Sequence, residues 1–238
     1  MRAVHTPITP ETEPEIWRKA MSREPKSFPD CNLHWMDQRS TEWFEVRRGC
    51  LTATGMGAWL LKSDKTSQKA REAAICRLLS EIGQCYELPV FETEAMRRGT
   101  ELEPEAVEEF EAWSGTKVTP CGFAKASFCR AGCSPDGLVM SEGIGFEGKC
   151  PTGAKHFEYV RAGSLPSTYE YQVHGSMAVT GARAWWFQSF HPGQASMRVL
   201  VERGALADDL ALALIDFSRD LDDAQEDMKE RYRKEVLK

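Results

Sequence analysis

Two carboxylates and an ammonium lie close together in this chain. Asp136 falls within Ser134-Pro135-Asp136-Gly137, and Glu147 and Lys149 form Glu147-Gly148-Lys149. The intervening Ser141-Glu142-Gly143-Ile144-Gly145 reads as a hairpin turn, so two antiparallel strands bring Asp136 and Glu147 side by side. Strand side chains alternate faces, which places Glu147 and Lys149 on one face. Carboxylates so placed repel unless a cation bridges them, and a hard divalent ion with oxygen ligands is the natural bridge. The lysine would then orient or deprotonate a water beside it. This is the equipment for metal-assisted phosphodiester hydrolysis. A surface hairpin with a Glu–Lys pair would satisfy the same letters. The apolar neighbours Ala131, Cys133, Leu138, Val139, Ile144, Phe146 and Cys150 weigh against it, because charges among apolar strands are costly without a partner or a metal.

The rest of the chain must position that cluster. Its 238 residues suffice for a sizeable core within one domain. Composition is that of an ordinary globular protein, 42% hydrophobic and 28% charged. No apolar run approaches the ~20 residues of a membrane span, and the polar start Met1-Arg2-Ala3-Val4-His5 does not read as a signal peptide. A cytoplasmic protein is the expectation. Eight cysteines then read as reduced core residues. A cysteine-ligated metal at Cys121, Cys129, Cys133 and Cys150 is the weaker alternative, since no Cys-x-x-Cys pair occurs. A net charge of −6 argues against bulk attraction to nucleic acid but leaves room for a locally basic channel. Basic residues cluster at Arg47-Arg48, at Lys62, Lys65, Lys69 and Arg71, and at Arg97-Arg98, while acid concentrates from Asp208 to Glu235.

Residues 1–30, rich in Pro, Thr and Glu, read as an extended arm with one short helix, and residues 31–238 as one domain. The pattern predicts a helix from Trp35 that ends through Thr41–Arg47. A turn at Leu51–Gly55 leads into a short helix through Leu60. Apolar spacing predicts helices over Ser67–Ile82 and Thr93–Trp113. Strands are expected at Lys117–Phe123, at Ser127–Ala131 running into Asp136–Met140, and at Gly145–Cys150. Helices follow at Ala154–Arg161 and Ser167–Thr180, strands at Ala184–Phe190 and Met197–Val201, and a long amphipathic helix at Ala205–Leu237. Trp185-Trp186-Phe187 reads as sheet core, and His174 and His191 as structural. The sum is an α/β fold with a central mixed sheet flanked by helices.

Four segments in order carry a resemblance. Trp43-Phe44-Glu45-Val46-Arg47-Arg48-Gly49-Cys50-Leu51-Thr52-Ala53-Thr54 comes first, then Gly99-Thr100-Glu101-Leu102-Glu103. Ala131-Gly132-Cys133-Ser134-Pro135-Asp136-Gly137-Leu138 with Glu147-Gly148-Lys149-Cys150-Pro151 is the third, and Tyr169-Glu170-Tyr171-Gln172-Val173-His174-Gly175-Ser176-Met177 the fourth. Together they resemble the phage lambda exonuclease family, the YqaJ-type viral recombinases of the PD-(D/E)xK nuclease superfamily. The resemblance implies a Mg²⁺-dependent enzyme, with Mn²⁺ as a substitute, that digests the 5′ strand of linear double-stranded DNA processively by two-metal hydrolysis. It leaves 3′ overhangs for single-strand annealing. A ring-shaped homotrimer, a phage-type annealing protein as partner and a bacterial host cell as setting are implied too.

The resemblance also assigns roles. Asp136, Glu147 and the Gly148 carbonyl would ligate Mg²⁺, Lys149 would handle the attacking water, and Glu103 would be the further acidic residue. Gln172 would bind the nucleophilic water or the metal-bound phosphate. Arg47, Thr54, Ser134 and Lys155 would form a pocket for a 5′ phosphate, a charge-assisted set. Trp43 would be an apolar wedge at the duplex end or a core residue. Two departures stand out: Gly148 replaces a larger apolar residue, and Lys155 replaces an arginine, losing the bidentate fork. An endonuclease of restriction or repair type and a non-catalytic DNA-binding assembly protein are the alternatives. The first has no use for a terminal-phosphate pocket, and the second has none for an intact catalytic set.

Overall fold

The computed structural model describes residues 28–84 and 93–236. The expected N-terminal arm and its helix lie almost wholly outside the described residues. Where description begins, the Asp30 N–H donates to the Thr180 carbonyl at 2.9 Å.

Two mixed four-stranded sheets form the centre. The first contains β1 (Cys31–His34), β2 (Leu51–Thr52), β3 (Phe123–Ala126) and β4 (Ala131–Cys133) in the order β1-β3-β4-β2. The second contains β5 (Gly137–Val139), β6 (Ile144–Lys149), β7 (Ala184–Ser189) and β8 (Met197–Glu202) in sequential order. In it β5 and β6 are antiparallel, β6 and β7 parallel, and β7 and β8 antiparallel. Among the described residues six α-helices surround them: α1 (Thr41–Arg47), α2 (Lys65–Ile82), α3 (Glu94–Ser114), α4 (Gly153–Ala162), α5 (Glu170–Thr180) and α6 (Ala205–Val236).

Helix α5 is the hub. Its eight residues Val173–Thr180 are all buried, the mark of a helix enclosed on every side. It packs on β3, β4, β6, β7 and α6. Strand alternation sorts the second sheet's residues between two apolar clusters. Trp185 and Phe187 join α5 and α6 on one side, while Phe146, Ile144 and Trp186 meet Phe110 of α3 on the other. All five sheet side chains are fully buried, as expected for Trp185-Trp186-Phe187. Gly145 serves this packing: a Cβ there would stand 2.3 Å from the Trp185 ring.

Three expectations are corrected. The helix from Trp35 does not form; α1 starts at Thr41, capped by Ser40, whose Oγ accepts the Trp43 N–H at 3.2 Å. Arg39, at φ +71°, breaks any helix before it. The strand at Lys117–Phe123 shrinks to one bridge, Thr119 with Leu138, and β3 begins where that strand was to end. The strand at Ser127–Ala131 forms only at its last residue, where β4 begins; the expected mixed β-structure flanked by helices is present, divided between two sheets. The long helices over α2, α3 and α6 form as the spacing predicts.

Candidate active site

The site sits where β5 and β6 begin and end. Gly137 of β5 pairs with Phe146 of β6, so the register puts Asp136 opposite Glu147. Asp136 is fixed by a backbone donor: the Gly148 N–H reaches its Oδ2 at 2.8 Å. Glu147 is 2% exposed and shares its strand face with Lys149, whose Nζ bonds the Glu147 Oε1. Gln172, on the first turn of α5, donates to the same Oε1 at 2.5 Å. Lys149 also lies 5.6 Å from the centre of the Tyr169 ring. The fourth member comes from α3. Most of that helix's acids are exposed, as a solvated face would be, but Glu103 is half-buried and lines a cleft with Asp136. Glu109 is also half-buried, tied to Arg198.

Charge is concentrated here against its own preference. Burial, then the nearby Asp136 carboxylate, pushes Glu103 up to about 7, with Lys149 and Arg39 holding it down. Burial and Asp136 likewise raise Glu147 to about 7. Asp136 itself is raised by burial, opposed by Lys149 and the Gly148 N–H. Burial works against the Lys149 ammonium, yet Glu147 and Asp136 outweigh it and hold the lysine charged, above the ordinary lysine range. Asp136 and Glu147 from adjoining strands and Glu103 from α3, with Asp136 raising both glutamates, are a donor set suited to a hard divalent cation. Asp136 is engaged with the backbone and Glu147 with Lys149 and Gln172, and among the described residues no three His, Cys, Asp or Glu side chains already surround one point. The seven described cysteines are free thiols. Burial pushes Cys121 and Cys150 up to about 11 and Cys129 up to about 12, which suits packing rather than metal binding. Not all are core: Cys76 is exposed.

A cationic group adjoins the acids. Trp43 donates its indole N–H to the Gly122 carbonyl and to Ser134 Oγ, both at 2.9 Å. The Arg47 guanidinium lies 3.7 Å over the Trp43 ring. Trp43, 8% exposed, is therefore no wedge at the surface. It is the buried platform that joins Arg47 to Ser134, two residues before Asp136. Thr54 is exposed, its hydroxyl 3.2 Å from that of Thr52. Lys155 is exposed on the first turn of α4, its Nζ 2.6 Å from Glu158. The structure thus joins Arg47 and Ser134 through Trp43, while Thr54 and Lys155 are bonded to Thr52 and Glu158.

Sequence reasoning missed several neighbours. A cleft of about 480 Å³ is lined by Arg39, Arg47, Arg48 and Arg77, with Glu45 and Glu81 among them. Gly49, at φ +68°, lets the turn after α1 settle on α2, because a Cβ there would stand 2.7 Å from Ile82. The Gly49 N–H donates to Glu81 at 3.2 Å, and Glu81 pairs with Arg77 at 2.5 Å. Arg77 had no signal in the sequence beyond its charge. Arg71, counted with the basic run, is taken up by Asp220 of α6 at 2.5 Å. Helix α2, which carries most of that run, therefore packs against the acidic C-terminal helix.

Fold and site define a protein of the nuclease-fold class. The profile of the YqaJ-like viral recombinase domain matches residues 42–183, and the chain belongs to that family, which is of lambda exonuclease type. Among solved structures it is similar to an alkaline exonuclease, LHK-Exo, from Laribacter hongkongensis, at 27% identity and a TM-score of 0.70, over 82% of this chain and 99% of that one. The same exonuclease in complex with dAMP gives a TM-score of 0.71 at the same identity and coverage. A phage-related exonuclease from Haemophilus somnus 129PT, at 13% identity and a TM-score of 0.51 over 78% of this chain and 99% of that one, shares the fold. No curated protein matches. Among the described residues no helix is long and apolar enough to cross a membrane.

Proposed function

We propose that this protein is a metal-dependent exonuclease that digests the 5′ strand of linear double-stranded DNA. The observation that carries the reading is the convergence of Asp136, Glu147, Glu103 and Lys149 next to the Trp43–Arg47–Ser134 group. An acidic, lysine-bearing cleft suits phosphodiester hydrolysis. A guanidinium and a hydroxyl within one residue's reach of it suit a terminal phosphate. The family and the exonuclease relatives support a nuclease, and a relative solved with dAMP supports release of mononucleotides.

Asp136, Glu147, Glu103 and the Gly148 carbonyl would hold Mg²⁺ or Mn²⁺. When bound, such an ion supplies positive charge to the scissile phosphate and lowers the pKa of coordinated water. The chain's own residues do the rest. Gly148 N–H orients Asp136. Lys149, held charged, donates toward the attacking water or a phosphate oxygen and balances the carboxylates. Gln172 fixes the Glu147 carboxylate and presents its amide toward the same water. Arg47, Ser134, Thr54 and Lys155 select a 5′-phosphorylated end, and Trp43 holds the first two in place.

Processivity, 3′ overhangs and supply of those overhangs to an annealing protein in a bacterial host belong to this reading. So does a ring of three subunits, whose topology would keep DNA threaded despite a net charge of −6. The test is digestion of linear duplex labelled at either 5′ end, with and without 5′ phosphate, in Mg²⁺. Loss of 5′ label as mononucleotide, faster from phosphorylated ends, is expected. Cutting of closed circular plasmid at a comparable rate would replace this reading with an endonuclease.

A further inference from the structure

Arg39 stands at a junction. The cleft that holds Asp136 and Glu103, about 1080 Å³, and the arginine-lined cleft of about 480 Å³ share one lining residue among those described, and it is Arg39. Its side chain is exposed, and its charge acts on Glu103. It therefore faces the acids from one side and joins Arg47, Arg48 and Arg77 on the other.

Its backbone is unusual for an arginine. The Ser40 N–H donates to the Asp37 carbonyl at 3.2 Å, closing a turn with Gln38 and Arg39 at its centre, and Arg39 sits at φ +71°. Left-handed φ favours Gly or Asn at such a position, and a longer side chain there is strained. The turn is clamped to the site. Gln38 donates to the Pro135 carbonyl at 3.0 Å and to the Cys121 carbonyl at 3.4 Å. The turn that carries this guanidinium is thus fixed, at a cost in backbone strain, beside the loop of Pro135 and at the mouth between an acidic and a basic cleft. Such strain persists where the surroundings impose it, and it marks functional positions.

We propose that Arg39 is a DNA-binding residue that holds the 5′-terminal phosphate together with Arg47, where the terminal nucleotide spans the acidic cleft, in which the bond is cut, and the arginine-lined cleft. The inference rests on the nuclease reading. Its chemistry is a guanidinium–phosphate contact, bidentate in the manner of arginine. Arg39 fixes the terminal nucleotide by its 5′ phosphate without taking part in bond breaking.

The left-handed backbone makes the test clean, because Arg39→Gly and Arg39→Asn remove the guanidinium while suiting the turn. Both variants should melt no lower than wild type. In an Asp136→Ala background, which leaves DNA uncut, fluorescence anisotropy on a labelled 5′-phosphorylated duplex should show Kd rising about ten-fold. The slope of log K against log salt should fall by about one phosphate contact. With Asp136 intact, both variants should raise KM more than they lower kcat, and Arg39→Lys should recover part of the affinity. Unchanged Kd and KM in both variants would overturn the proposal. So would a large loss of melting temperature in both, which would make Arg39 structural, or a parent that does not bind duplex at all. A wild type that binds duplex but does not cut it would sink the nuclease reading alone, and the anisotropy comparison would still decide the role of Arg39.

Discussion

Trp43 donates its indole N–H to Ser134 Oγ across 2.9 Å, tying α1 to the loop that carries Asp136. The same N–H reaches the Gly122 carbonyl, and the ring carries Arg47 on its face. One buried side chain thus sets the position of a cation and a hydroxyl from segments 87 residues apart in sequence. Trp43→Phe keeps an aromatic face but removes the donor, leaving a buried carbonyl short of a partner. A loss of about 1–3 kcal/mol in urea unfolding is expected. The preference for 5′-phosphorylated ends should weaken, because Ser134 and Arg47 lose their common anchor. Unchanged stability and unchanged end preference together would deny the platform its role.

Arg47→Ala should remove most of that preference while leaving digestion of 5′-hydroxyl ends nearly as it was. A charge-assisted bond to phosphate contributes about 1.5–3 kcal/mol, which corresponds to a preference of roughly ten-fold or more. Competition between the two kinds of end in one reaction measures it. Equal loss on both ends would move Arg47 from the end pocket to general DNA binding.

The acidic cluster should depress the stability of the metal-free protein as pH rises. Glu103 has a folded pKa near 7, raised from 4.5 by burial and by Asp136. Between those values the folded state retains a proton that the unfolded state has lost. Stability therefore falls as pH climbs from about 4.5 through 7. In EDTA, Glu103→Gln should flatten that fall and melt a few degrees above wild type at pH 8, while losing activity in Mg²⁺. Mg²⁺ should raise the wild-type melting temperature more at pH 8 than at pH 5.5. A variant that melts below wild type at pH 8 in EDTA would show that Glu103 is not strained by its neighbours.

Much of this site was legible in the sequence because its parts are local. The Asp136–Lys149 hairpin follows from Asp-Gly, a turn and period-two alternation, and the register between Gly137 and Phe146 is the one those signals fix. Glu103 could be chosen among the acids of α3 only through the family resemblance, since periodicity alone makes the others equal candidates. The two-sheet arrangement was illegible, because it depends on pairings such as β1 with β3 and β2 with β4, between segments about 80–95 residues apart. The misread helix at Trp35 has the right apolar spacing, but the turn at Asp37–Ser40 overrides it. Arg39 and Arg77 reach the site through backbone conformation and helix docking, neither of which a residue letter records.

Lys149 and Gln172 converge on one oxygen, Glu147 Oε1, and their removal should have different results. Lys149→Ala takes a positive charge from a pocket with three carboxylates. The apo site becomes more negative, so Mg²⁺ should bind at least as tightly by calorimetry. Duplex binding should survive, because the Arg47 group is untouched. Turnover should drop by two orders of magnitude or more, the usual scale for losing a positioned donor at developing charge. Gln172→Ala removes no charge and should cost less, while loosening Glu147 enough to weaken Mg²⁺ affinity. If Lys149→Ala instead lost DNA binding and kept its per-encounter cleavage rate, the lysine would belong to strand binding, and water positioning would fall to Gln172.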